Sequence, residues 1–107
     1  MRFETKFPTI PLSGKVSEIV HVIGAKTVSV WCPLVTSCQI LALGSFDPTS
    51  ANFTRIQNSV GSGAWTYSAG VGSNCIGLEE IGYFPYLRFE TTVNQAAITS
   101  LAVITQF

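Results

Sequence analysis

Short runs of alternating polar and apolar residues recur along this chain, each cut off by glycine, proline or aspartate, and that rhythm leaves little room for helices. Thr27-Val28-Ser29-Val30-Trp31 repeats with a period of two, the pattern of a strand with one buried face. Cys38-Gln39-Ile40-Leu41-Ala42-Leu43 is more continuously apolar, as suits a central strand, and Gly44-Ser45 ends it. Phe53-Thr54-Arg55-Ile56-Gln57, Ala64-Trp65-Thr66-Tyr67-Ser68, Asn74-Cys75-Ile76-Gly77-Leu78 and Tyr86-Leu87-Arg88-Phe89-Glu90-Thr91 continue the series. The last run, Thr99 to Phe107, sets Leu101, Val103 and Thr105 against Ala102, Ile104 and Gln106. Gly14, Gly24, Asp47-Pro48, Gly61-Ser62-Gly63, Gly70-Val71-Gly72 and Gly82 supply the turns.

Helical signals are weak. Lys15–Ile23 places Val16, Ile19, Val20 and Ile23 at helical spacing behind Ser13, but its β-branched residues favour a strand, and it is read as one. Asn94-Gln95-Ala96-Ala97 is one helical turn or a loop. Seven or eight short strands so punctuated predict an all-β, antiparallel sandwich with a jelly-roll-like order. No repeat or linker divides the chain, so residues 1–107 form one domain. Residues 1–14 form an arm or an edge strand, because Pro8 and Pro11 hold the chain extended. That arm is too short to build a core of its own, so its apolar residues Phe3, Phe7, Ile10 and Leu12 must be buried elsewhere. They are the candidate partner-binding residues, expected to reach a neighbouring subunit.

Charge narrows the function. Six basic and six acidic side chains make only 11% of the chain, less than half the usual share, and cancel to a formal charge of zero. No basic footprint exists for nucleic acid, and none for an anionic membrane. The polar resource is instead eleven serines and eleven threonines. Hydroxyls are buried against a partner at small desolvation cost, which favours a protomer that works inside an assembly. No apolar segment of secretory or membrane-spanning character is expected.

Catalytic arrangements are scarce. His21 and Asp47 are the single histidine and the single aspartate, and His21 sits in an apolar run where a structural role is expected. Glu79 and Glu80 are sequence neighbours and would point to opposite faces of a strand. The glycine triplets lack the lysine and helix of a phosphate loop. Cys32, Cys38 and Cys75 form no CxxC pair and are expected as reduced, buried thiols, although the Cys32–Cys38 spacing permits a bridge. No cofactor or metal is expected, and no enzymatic activity. Trp65, Tyr67, Tyr83, Phe84 and Tyr86 serve as core or interface anchors, with a sugar-stacking platform as the other reading.

Two stretches carry a resemblance. Leu41-Ala42-Leu43-Gly44-Ser45-Phe46-Asp47-Pro48 followed by Phe53-Thr54-Arg55-Ile56, and Phe84-Pro85-Tyr86-Leu87-Arg88-Phe89, resemble segments of discoidin-like jelly rolls. With Ala96-Ala97 and the closing Ser100-Leu101-Ala102-Val103-Ile104 strand, residues 38–107 are similar to small jelly-roll structural proteins of tailed-phage virions. The resemblance implies a decoration or cement protein, commonly trimeric, that is made in the host cytoplasm and sits on the capsid surface against the major capsid protein. A neck or tail component, or a glycan-binding module, is the alternative.

Overall fold

A strand that is apolar at every second position can bury only one face, so two such sheets must close on each other. The computed structural model describes residues 2–34, 36–49, 52–56, 66–78 and 84–107. Within them lie eleven strands and no α-helix: β1 (Phe3–Lys6), β2 (Thr9–Ile10), β3 (Val20–His21), β4 (Thr27–Leu34), β5 (Cys38–Ser45), β6 (Thr54–Arg55), β7 (Thr66–Ala69), β8 (Gly72–Leu78), β9 (Tyr86–Thr91), β10 (Thr99–Ser100) and β11 (Ala102–Gln106). Among the described residues, no helix is long and apolar enough to cross a membrane.

One sheet runs β1-β11-β4-β8, and the other runs β3-β9-β5, with β6 and β7 sharing the far edge of β5. Every pairing is antiparallel. β2 and β10 extend β1 and β11 without a change of register, from Phe3↔Gln106 to Thr9↔Ser100. Merging these extensions, and β6 with β7, leaves eight strands. They stand in the order first, eighth, third, sixth in one sheet and second, seventh, fourth, fifth in the other. That is jelly-roll order, with the chain crossing between sheets at almost every step.

Alternation decides what fills the space between. β4 turns Val28, Val30, Cys32 and Leu34 inward, and β9 turns Leu87 and Phe89 inward to meet them. Ile40 and Ala42 of β5, Val103 of β11, and Ile10, Val20, Val22, Ile56 and Leu101 complete one core. Tyr67 and Phe84 pack against its margin. Pro33 sits in β4 beyond Trp31↔Ala102, the last pair with β11, where β8 is its only partner strand.

The expected strand over Lys15–Ile23 is interrupted. Val16 bridges Glu90, yet Val20 pairs with Leu87, so four steps on one strand match three on the other. The extra residue is a bulge, and it moves the inward phase from Ser17 to Val20 and Val22. Ser17 secures it: its backbone N–H donates to Phe89 O at 2.8 Å, its Oγ accepts from Phe89 N at 2.9 Å, and its carbonyl accepts two bonds from Arg88.

The N-terminal segment lies on its own domain. β1 is an edge strand against β11, and Leu101 N–H reaches Pro8 O at 2.9 Å. A turn at Pro11–Gly14 follows, closed by Gly14 N–H to Pro11 O, with Ser13 at φ 60° in a position that favours glycine. Residues 94–97 form a loop rather than a helical turn. Its Gln95 is fully buried: the side-chain Oε1 accepts from Thr36 N at 3.3 Å, and Nε2 donates to the carbonyls of Thr36 and Val93 at 3.4 Å. Its backbone bonds to Ser13 and Gly14 at 2.9 and 3.1 Å. One residue, through its side-chain amide and its backbone, therefore ties three connections at one end of the sandwich. Among the described residues, no buried side-chain polar atom lacks a hydrogen bond.

Candidate interaction surface

Because β4 sends Val28, Val30 and Cys32 inward, Thr27, Ser29, Trp31 and Pro33 must face out. Directly opposed residues share a face, so the register extends this row across the sheet. Ala102, Ile104 and Gln106 lie beside it on β11, Phe3 and Thr5 on β1, and Ser73, Cys75 and Gly77 on β8. None of these residues carries a charge. Phe3 is 59% exposed, Trp31 39% and Ile104 36%, and Phe7, the next exposed position after β1, is 65% exposed. The polar groups satisfy one another in part, as where Thr27 Oγ1 donates to Gln106 Oε1 at 3.2 Å. Charges gather at the rim, where Arg2 stands 3.7 Å from Glu4 and over the Phe107 ring.

The outer face of the second sheet differs in chemistry. Arg55 Nη2 lies 3.1 Å from Glu90, Arg88 covers the Phe53 ring, and His21 stacks on Tyr86 with centroids 5.0 Å apart. The domain thus has one charged outer face and one neutral outer face.

Of the four candidate partner-binding residues, the structure keeps Phe3 and Phe7 exposed on or beside the neutral face and places Leu12, 61% exposed, at the turn beyond it. Ile10 is corrected. It is 0% exposed, because its pairing with Thr99 turns it into the core, so no partner can reach it. The preference for an arm reaching another subunit is corrected with it: β1 and β2 complete the chain's own sheet. Trp31, Ile104 and Cys75 were missed. Trp31 carried a signal, being a large aromatic in the otherwise hydroxyl-bearing phase of its strand; Ile104 and Cys75 carried none until β11 and β8 were placed beside it.

The remaining reactive groups have local roles. Asp47 Oδ1 accepts from Thr49 N–H and Oδ2 from Asn52 Nδ2, both at 2.8 Å, and these bonds lower its pKa. His21 projects from an exposed position, with its carbonyl taken by Lys6 Nζ at 2.6 Å. No group of three His, Cys, Asp or Glu among the described residues could hold a metal. All three cysteines are free. Cys32 is buried, and burial first, then the nearby Cys38, pushes its pKa to about 12. Cys75 is exposed, against the expectation that every thiol is buried. Phe84 covers Gly44 and meets Phe46 at 5.7 Å, while Trp65, Tyr83, Glu79, Glu80 and the Gly61–Gly63 turn lie outside the described residues.

No protein-family model matches the chain, the discoidin family included, and no curated protein does. Among solved structures, it is similar to the crystal structure of the SPBc2 prophage-derived protein YomS. The TM-score is 0.57 over 98% of this chain and 95% of that one, at 13% identity. The likeness is one of fold, end to end.

Proposed function

We propose that this chain is a non-enzymatic structural protein of a phage particle, a decoration or cement protein that binds the assembled shell at its surface. The observation that carries this reading is the neutral outer face of the β1-β11-β4-β8 sheet, with Phe3, Trp31 and Ile104 exposed on it. Large exposed apolar side chains grouped on one face mark a surface that a protein partner covers, a further copy of the chain within an assembly included. A prophage-derived protein of the same fold and nearly the same extent supports the phage assignment. The mechanism needs no reacting group. A protein that binds only the assembled state stabilises it by mass action, by about 2.7 kcal/mol per site at a free concentration one hundred times Kd.

The test is co-sedimentation of the purified chain with empty phage shells and, separately, with unassembled major capsid protein. Binding to shells alone, with a rise in the temperature at which they dissociate, is the expected result. Absence from shells, with labelling confined to the neck or tail in electron microscopy, would replace the cement role with a connector role. Binding to a glycan array but not to particles would overturn the structural role.

A further inference from the structure

We infer that the neutral face takes a second copy of this chain, the two sheets stacking across a two-fold axis; the inference rests on reading that face as protein-binding. Three observations favour self-association over a different partner. The first is composition: homodimer interfaces are the more apolar ones, with charge pushed to the rim, whereas encounters between different proteins use complementary charge for steering. Here the described face is uncharged and the Arg2–Glu4 pair stands at its edge.

The second is electrostatic self-compatibility. A two-fold contact sets each patch against itself, so a charge conflicts with its own copy near the axis and, away from it, must find an opposite charge at the symmetry-related position. A face without charges is free of that conflict, while the other outer face, bearing Arg55, Arg88 and Glu90, is not. The third is size. The four strands, of four, five, eight and seven residues at about 3.3 Å per residue and about 4.8 Å apart, give a footprint of roughly 380 Å² in projection, and the β2 and β10 extensions lengthen it. Projecting Phe3, Trp31 and Ile104 add relief, bringing the contact toward the roughly 800 Å² per partner of a standard interface. Sheets of this kind stack at about 10 Å with a modest crossing angle, an arrangement the domain already uses internally.

The experiment is sedimentation equilibrium of the full chain from 1 to 100 µM, with circular dichroism as a check on folding. Wild type is expected as a dimer. Ser29→Arg and Ile104→Lys, on exposed positions of the face, are expected to weaken it at least a hundredfold. Gln39→Lys, an equal change of charge at an exposed position of the other sheet, is expected to leave it intact. A wild-type monomer at 100 µM, a trimer, or an unimpaired folded Ser29→Arg dimer would each overturn the inference. Shell binding separates the two readings. Monomeric wild type that binds shells, with Ser29→Arg abolishing it, leaves the cement role standing and the two-fold contact refuted. A face-dependent dimer that ignores shells does the reverse.

Discussion

Replacing Gln95 by leucine tests whether the polar plug at the end of the sandwich holds its connections together. The substitution nearly preserves volume and leaves the backbone bonds to Ser13 and Gly14 untouched. It removes the amide's bonds to Thr36 N, Thr36 O and Val93 O, at 3.3, 3.4 and 3.4 Å. A hydrogen bond of ordinary geometry contributes about 0.5–1.5 kcal/mol net, and these long ones belong at the low end. Thr36 is half-buried and Val93 exposed, so their freed groups regain some water. The expected loss is therefore about 2 kcal/mol. For a domain near this size, that lowers Tm by roughly 8 °C. Urea unfolding followed by far-ultraviolet circular dichroism measures it, and an unchanged m-value would assign the effect to the native state. Gln95→Glu should cost more at neutral pH, because a buried carboxylate then faces two carbonyls. These surroundings raise its folded pKa above the unfolded value, so the loss should recover as the pH falls through that raised value and be fully recovered by about 4. A Gln95→Leu loss under about 0.5 kcal/mol would show that the amide is a passenger and that the backbone bonds alone hold the loop.

Ser17→Ala leaves Phe89 N–H without its 2.9 Å partner beside the bulge, and should destabilise by about 1–3 kcal/mol in the same assay. Gly44→Ala places a Cβ 2.6 Å from Phe84 Cγ, so the ring must swing away; the expected cost is about 1–3 kcal/mol, and it should shrink in a Phe84→Ala background. Thiol labelling of the monomeric Ser29→Arg variant under native conditions should modify Cys75 first, Cys38 more slowly and Cys32 only on unfolding. Because the folded Cys32 pKa of about 12 exceeds its ordinary 9.0, the unfolded chain ionises first, and stability should fall as pH rises above 9. Asp47 titrates in the opposite sense. Held below its ordinary 3.8 by Thr49 N–H and Asn52, it stabilises the fold above that value, and the contribution is lost as pH falls through the folded pKa; carbon-13 carboxyl shifts against pH check it.

Strand type and inward phase were legible because both follow from the two-residue period alone. Val28, Val30, Leu87 and Phe89 are apolar at every second position, and no neighbour is needed to infer that they share a side. The candidate site was half legible. Phe3 and Phe7 declared themselves as apolar residues in an extended, proline-bounded segment. Ile10 looked the same by that criterion, and only its pairing with Thr99 separates it from them.

The sequence by itself thus determined an antiparallel β domain, the polarity of each strand's two faces and a chain poor in charge. Tertiary structure alone decided which strands are neighbours, because backbone ladders form between almost any two strands and carry little side-chain information. It placed the bulge that turns Ser17 inward, since an extra residue is visible only against the partner strand it fails to match. It also assembled the neutral face from residues near positions 3, 29, 75 and 104, which lie far apart in the chain. Each contributes one uncharged residue to its own strand, and only lateral pairing at about 4.8 Å turns those separate positions into one surface.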